Sequence, residues 1–214
     1  MKKNQFSELY FTQLRESYAN KDTNKIHNAC KEIINKINEI VLLKHPLGFY
    51  YSELYKYSDD AKIRIHIWPD NRESIQDKLN IHNHYYNITS YVYMGNIKNI
   101  LFNSFNEEPY THALYEGTYE EKNTRILNRT DSKFNLNIIS EEVIEQGNIY
   151  EIKKSEIHIG KVEKQTFTIT LIFTENPNNS NPKIYGCIDG PDKITFKPQK
   201  VTEDEIKYIQ ENCT

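Results

Sequence analysis

The sequence has only three cysteines, Cys30, Cys187 and Cys213, and they are too few and too scattered for a disulfide framework or a CxxC site. No apolar run approaches the ~20 residues that a membrane-spanning helix requires. The N-terminus also lacks the apolar segment and the small-residue cleavage site of a signal peptide. We therefore expect a soluble, cytoplasmic protein that does not act at a membrane.

Positive charge is not concentrated in any segment, and the net charge is only −3. Proteins that bind nucleic acids usually carry clustered lysine and arginine, so we expect no nucleic-acid partner. The length of 214 residues allows one large domain with a sizeable core.

The first 45 residues show helical spacing. Apolar residues recur three or four positions apart from Phe6 to Tyr18, and again from Ile26 to Val41. Asp22 or Thr23 is suited to cap the second helix, which Pro46 and Gly48 would end. We predict two amphipathic helices that pack on the domain behind them.

From residue 50 the apolar pattern changes to a period of two. In "KIRIHIW", residues 62–68, isoleucines alternate with Arg64, His66 and Trp68, and further short β-rich runs follow. Strands without interleaved helices favour an antiparallel sandwich or barrel. The last segment, "TEDEIKYIQENC", predicts a C-terminal helix with Thr202 as its cap.

The segment "IHNHYYNITSYVYMG", residues 81–95, contains His82 and His84 one residue apart. Alternate residues of a strand face the same side about 7 Å apart, so both imidazoles are predicted to face one point. A third ligand from another strand would complete a metal site. The pair alone is also compatible with chance occurrence and two exposed rings.

Two spacings in the sequence resemble the motifs of the cupin superfamily. Gly95 follows His84 by eleven positions, as in the family's first motif, and Gly147 precedes His158 by the eleven positions of the second. "MGNIKNILF" is similar to a hairpin of the three-histidine members, which include thiol dioxygenases such as cysteine dioxygenase. The resemblance covers residues 60–175.

The departures from the family pattern concern its acidic ligand and several fixed positions. Ile88 stands where most cupins have a glutamate ligand, and Gln76 stands at the first-motif glycine. Thr89 and Phe173 fall at or near the crosslinking cysteine and the active-site tyrosine of cysteine dioxygenase. The substrate is therefore not necessarily cysteine, and the reaction is not necessarily a thiol oxidation.

The resemblance implies a mainly β fold, a double-stranded β-helix (jelly-roll barrel) with N-terminal helices and a C-terminal helix. We divide the chain into a helical extension (1–48), a cupin β-barrel (49–200) and a helix (201–214). The resemblance to cupins also implies that the protein is a monomer or homodimer. It further implies an iron-dependent oxygenase that uses O2 on a small organic, possibly thiol, substrate. His82, His84 and His158 would then hold Fe(II), although zinc, nickel and copper also suit imidazole.

Three further residues are candidates for catalysis. If the polar face of "KIRIHIW" points inward, Arg64 would bind a substrate carboxylate or phosphate, and His66 would carry a proton. If it points outward, both are surface residues and the isoleucines form the core. Tyr86 is placed to hydrogen-bond substrate or dioxygen, or to fill the barrel.

Two other functions remain open at the level of sequence. A metal-dependent isomerase or lyase would use the same histidines with the metal as a Lewis acid. A ligand-binding barrel would use them only structurally. His112, Tyr115 and Glu116 would line a pocket mouth or supply a different ligand, or would lie in an exposed hairpin.

Overall fold

A computed structural model describes residues 6–71, 79–119 and 124–213. Within them the chain forms three α-helices, α1 (Glu8–Ala19), α2 (Thr23–Asn35) and α3 (Glu203–Asn212), and a short 3-10 helix, Ile37–Glu39. The strands, in chain order, are β1 (Leu43–Lys44), β2 (Tyr50–Lys56), β3 (Lys62–Trp68), β4 (Ile81–His82), β5 (Asn87–Met94), β6 (Asn96–Phe105), β7 (His112–Tyr119), β8 (Arg125–Glu145), β9 (Ile149–Ile152), β10 (Ile157–Lys161), β11 (Thr168–Glu175), β12 (Lys183–Cys187), β13 (Lys193–Phe196) and β14 (Gln199–Lys200).

The strands form two seven-stranded sheets in which every pair is antiparallel. The first sheet has the order β14-β1-β2-β3-β11-β5-β9, and the second has the order β13-β8-β6-β10-β4-β12-β7. An additional pairing of β8 with β7 closes six strands of the second sheet into a ring, and β13 pairs with β8 outside it. The prediction of a mainly β protein with terminal helices is thereby confirmed.

The first sheet is covered on both faces. Ile63, Ile65 and Ile67 of β3 have no exposed surface and belong to the same apolar core as the residues of α1 and α2. Trp68, on the opposite face, packs with Ile97 of the second sheet. Burial of each isoleucine contributes about 1.5–3 kcal/mol, more than the roughly 1 kcal/mol of a helix cap, so apolar contact holds the helices in place.

The caps agree with the sequence, but the extent of the helices does not. Asp22 accepts a hydrogen bond from the Lys25 N–H, and Thr202 caps α3 within a capping box. Helix α2, however, ends at Asn35, well before the predicted stop at Pro46. Leu43 and Lys44 pair with β2 and β14, and this pairing requires extended backbone where helical spacing had suggested a helix.

Gly95 makes the one-residue connection between β5 and β6. Its φ is +72°, and a Cβ there would lie 2.5 Å from the carbonyl oxygen of Phe167. Gly147, with φ +86°, makes the turn between β8 and β9 and donates its N–H to the Val92 carbonyl at 2.8 Å. Both motif-spaced glycines therefore occupy left-handed backbone, which side chains disfavour.

Helix α3 is tied to the first sheet by the carboxylate of Glu205. Its oxygens accept hydrogen bonds from Lys44 Nζ at 2.7 Å, the Tyr50 hydroxyl at 2.9 Å and the Thr202 N–H at 2.8 Å. Although burial alone would raise it, these bonds lower the pKa of Glu205 to about 2. The ionised carboxylate is therefore a stabilising contact between the C-terminus and β1.

Replacing Glu205 by Gln is expected to lower the free energy of unfolding by about 2 kcal/mol, because charge-assisted hydrogen bonds are lost. The folded-state pKa lies below the unfolded one, so the contribution is complete above pH ~4.5 and disappears as the pH falls toward 2. Urea unfolding at pH 7 measures it. Glu203→Gln, at an exposed position of the same helical turn, is the control; equal effects of the two variants would contradict this account.

Candidate metal centre

His82, His84 and His158 form one cluster in the protein. One ring nitrogen from each lies within 4.8 Å of the others, and the Nε2 atoms of His84 and His158 are 3.0 Å apart. Two nitrogens about 2.1 Å from a common metal lie about 3.0 Å apart at a right angle and about 3.4 Å apart at the tetrahedral angle. The pair formed by His84 and His158 therefore has the spacing of two imidazoles on one metal ion, and His82 supplies a third ring nitrogen nearby.

The strand geometry used to predict this cluster is only partly correct. His82 ends β4 and pairs directly with His158 of β10, so those two histidines come from neighbouring strands. His84 lies beyond the end of β4, where Asn83 exchanges hydrogen bonds with Lys183. The His84 ring reaches His158 from a segment outside the strand, so its placement does not follow from the alternation of an unbroken strand.

Hydrogen bonds fix the proton position in two of the three rings. His82 Nδ1 lies 2.8 Å from the carbonyl oxygen of Asn80, which can only accept, so Nδ1 carries the proton. His158 Nδ1 lies 3.0 Å from the amide oxygen of Asn99, which places the proton there too. The Nε2 atoms of both rings are left with lone pairs available for a metal ion.

Burial keeps the cluster uncharged. It lowers the pKa of His82, His84 and His158, and in His84 and His158 the neighbouring histidines lower it further. His158 is only 6% exposed. Neutral imidazole is the form that binds metal ions, so the protein holds all three rings in the ligating state near pH 7.

Asn99 is a positioning residue that the sequence did not reveal. It lies on β6, is 6% exposed, and contacts the cluster through a hydrogen bond to His158. A buried asparagine inside a β-rich run carries no signal in one sequence, because its partner lies 59 residues away. Its amide oxygen orients the His158 ring and sets its tautomer.

Asn99→Leu is expected to weaken metal binding about 10- to 100-fold, because His158 Nδ1 loses its acceptor and the ring loses its fixed orientation. Asn99→Asp retains an acceptor oxygen and should bind nearly as tightly as the unmodified protein. Competition with a coloured chelator measures both affinities. Asn103→Leu, at an exposed position of the same strand, is the control. Unaltered affinity in Asn99→Leu would show that Asn99 does not position the ligand.

Arg64 and Tyr86 adjoin the cluster. Tyr86 stacks on the His84 ring with centroids 5.1 Å apart, and its hydroxyl accepts a hydrogen bond from Arg64 Nη1 at 2.9 Å. The Arg64 Nη2 atom is 3.9 Å from Glu53 Oε2, and the side chain remains 21% exposed. The polar face of β3 thus points toward the histidines and away from the helices.

His66 lies on this inward face with Arg64. Its ring packs against Phe49 with centroids 4.7 Å apart and against Trp68 at 5.6 Å. Burial, followed by the charges of Arg64 and His45, lowers its pKa well below the usual range. His66 is therefore neutral near pH 7.

The other residues singled out in the sequence lie apart from the cluster. His112 contacts the hydroxyl of Thr111, and the Tyr115 hydroxyl donates to the Pro191 carbonyl. Neither His112 nor Glu116 belongs to the three-histidine group found among the described residues. Tyr115 is fully buried, so the segment is not simply an exposed hairpin. Gln76 lies outside the described residues.

Ile88 and Phe173 have structural surroundings that account for their identities. Ile88 packs with Ile152 and Ile172 in an apolar cluster, where a carboxylate would be unpaired. Phe173 faces the helices and stacks on Tyr18 with centroids 5.6 Å apart. Neither position contributes a polar group to the histidine cluster.

Comparison with known proteins gives no assignment. No protein-family model matches the chain, and no curated protein matches it. Within the described residues, no helix is both long enough and apolar enough to cross a bilayer. The class defined by the coordinates is a mainly β, two-sheet protein with a buried three-histidine cluster suited to a metal ion.

Proposed function

We propose that the protein is a three-histidine, metal-dependent oxygenase built on a cupin-type double-stranded β-helix, acting with O2 on a small organic anion, most directly a thiol. The observation that carries the proposal is a cluster of three neutral imidazoles that, among the described residues, contains no carboxylate. The two antiparallel sheets, with His82 and His158 on adjacent strands, support the β-helix assignment.

Three neutral ligands leave a divalent metal with its full charge, which favours an anionic substrate atom such as a thiolate. Iron(II) held by His82, His84 and His158 would supply binding of the thiolate and activation of dioxygen. Zinc, nickel and copper also accept imidazole ligands, so metal identity is part of the proposal.

Arg64 and Tyr86 would bind and orient the rest of the substrate. Arg64 donates one N–H to the Tyr86 hydroxyl and retains further N–H groups for a carboxylate. Because the Tyr86 oxygen already accepts from Arg64, its own proton is directed elsewhere, and the stacking of Tyr86 on His84 brings that proton near the cluster. Tyr86 would thus donate a hydrogen bond to the bound substrate or to dioxygen.

The overall reaction on a thiolate balances without a further reductant. Two S–O bonds form and the O–O bond breaks, giving a sulfinate: RS⁻ + O2 → RSO2⁻. Sulfur loses the four electrons that the two oxygen atoms gain. Since no proton is consumed overall, the side chains need only hold the reactants in place.

The test combines metal content with oxygen consumption. Freshly purified protein is expected to contain about one metal ion per chain by elemental analysis, and an oxygen electrode should record uptake with at least one member of a panel of small thiol carboxylates. Turnover that continues without oxygen would reject the oxygenase in favour of Lewis-acid chemistry. Protein without metal that cannot be reconstituted would reject both.

A further inference from the structure

A second pair of histidines packs against one phenylalanine. His45 follows β1, and its ring stacks on Phe49 with centroids 4.2 Å apart; the His66 ring lies 4.7 Å from the same Phe49. His45 and His66 therefore share an aromatic neighbour, and His66 is on the same face of β3 as Arg64. A proton on His82 would lower the pKa of His45, and a proton on His45 would lower that of His66.

The proton position in His45 is set by the turn that contains it. Its Nδ1 accepts the Leu47 N–H at 3.2 Å, so Nδ1 carries no proton. Burial, reinforced by His82 and Arg125, lowers the pKa of His45 to about 3. At pH 7 the ring is consequently neutral, and its single proton is on Nε2, which is a hydrogen-bond donor.

Within residues 6–71, 79–119 and 124–213, His45 Nε2 has no hydrogen-bond partner. The two ring nitrogens of His66 have no hydrogen-bond partner there either. His45 and His66 are both partly exposed, although protein encloses most of each ring.

We propose that His45 and His66 form a second subsite, which binds an uncharged oxygen acceptor at one end of a small organic anion whose charged end lies at Arg64. This rests on the proposed function in taking the substrate to be an anion bound beside the three-histidine cluster. It adds that the substrate carries a carbonyl or comparable neutral acceptor.

The spacing of the two subsites supports this assignment. Arg64 and His66 are alternate residues of β3, which places them on one face about 7 Å apart at the backbone. A carboxylate and a carbonyl separated by two or three carbon atoms span a comparable length. Phe49 and Trp68 form an aromatic wall around His66, and such surroundings favour an uncharged group.

The probes are pentanoate and 4-oxopentanoate, which differ by one carbonyl oxygen. Their dissociation constants are measured by ligand-observed NMR on the protein as purified and after dialysis against a chelator. His45→Asn retains an acceptor near the Nδ1 position for the Leu47 N–H but removes the Nε2 donor. His45→Gln places an amide donor near the Nε2 position. His112→Asn, at a histidine outside the cluster, is the matched control.

In His45→Asn, 4-oxopentanoate is expected to bind about tenfold more weakly while pentanoate binds as before, which is the loss of one hydrogen bond. His45→Gln should recover most of the difference, His112→Asn should have no effect, and Arg64→Met should weaken both acids. Equal effects of His45→Asn on the two acids, or binding of neither acid to the unmodified protein, would overturn the proposal.

The outcome is separable from that of the oxygenase proposal, because the NMR measurement does not depend on bound metal. If the protein cannot hold metal but still prefers the carbonyl compound through His45, the subsite proposal is supported and the oxygenase proposal is rejected. Metal binding without the preference would retain the metal centre and reject the subsite.

Discussion

Replacing His84 by alanine is expected to abolish metal retention. The variant keeps two of the three imidazoles, and loss of a direct ligand should cost more than the 10- to 100-fold that loss of a supporting hydrogen bond costs. We expect an affinity decrease above about 100-fold, so that the variant leaves gel filtration without metal while the unmodified protein retains it. Elemental analysis of both proteins, loaded and treated identically, measures the effect.

Thermal unfolding provides an independent measure of the same loss. A metal that binds only the folded protein stabilises it by about 2.7 kcal/mol at a hundred times its dissociation constant. The midpoint of unfolding should therefore rise with added metal in the unmodified protein and stay constant in His84→Ala. His112→Ala, which removes a histidine outside the cluster, should behave like the unmodified protein. Full metal retention by His84→Ala would reject the assignment of the site.

The metal-free protein is expected to lose stability steeply as the pH falls below about 6. Burial lowers the folded-state pKa of His45 to about 3 and that of His66 well below its usual value. The unfolded chain then binds more protons than the folded one, so the stabilisation is complete above pH ~6.5 and is lost as the pH falls toward the folded-state values. His82, His84 and His158 act in the same direction.

A histidine that is protonated only in the unfolded chain contributes a slope of about 1.4 kcal/mol per pH unit, so His45 removes about 2.5 kcal/mol between pH 6 and pH 4, and His66 acts in the same direction. A loss of this size is a large fraction of the roughly 5–15 kcal/mol that stabilises a domain. Urea unfolding at half-unit pH intervals gives the slope, and His45→Asn should reduce it by about 1.4 kcal/mol per pH unit. A stability that is flat between pH 6 and pH 4 would mean that these rings are protonated in the folded protein.

Sequence patterns predicted the secondary structure best where neighbouring residues alone determine it. The Asp22 and Thr202 caps satisfy backbone N–H groups within three residues, and the alternation in β3 follows from strand geometry. The prediction that helical structure extends to residue 45 was wrong because the backbone of Leu43 and Lys44 pairs with strands far along the chain. Spacing within a segment contains no information about such partners.

The candidate site was only partly predictable for the same reason. The motif-like spacings selected His82, His84 and His158, and these are the histidines that the fold brings together, although their role as ligands stays a prediction. Asn99 gave no signal, because it acquires its role through a hydrogen bond to His158, 59 residues away, and no spacing in the sequence singled out His45. The direction of the Arg64 side chain could not be predicted either, because both faces of β3 pack against other apolar groups.

By itself the sequence determined a mainly β chain with helices at its ends and a set of histidines suited to a metal, since period, caps and residue chemistry are properties of short segments. Only the tertiary structure decided that His158 pairs beside His82, that the His84 ring lies beside His158, and that Arg64 and Tyr86 adjoin the cluster. Those outcomes depend on sheet pairing between distant strands and on which face of each strand another layer covers, and both are set by packing of the whole chain.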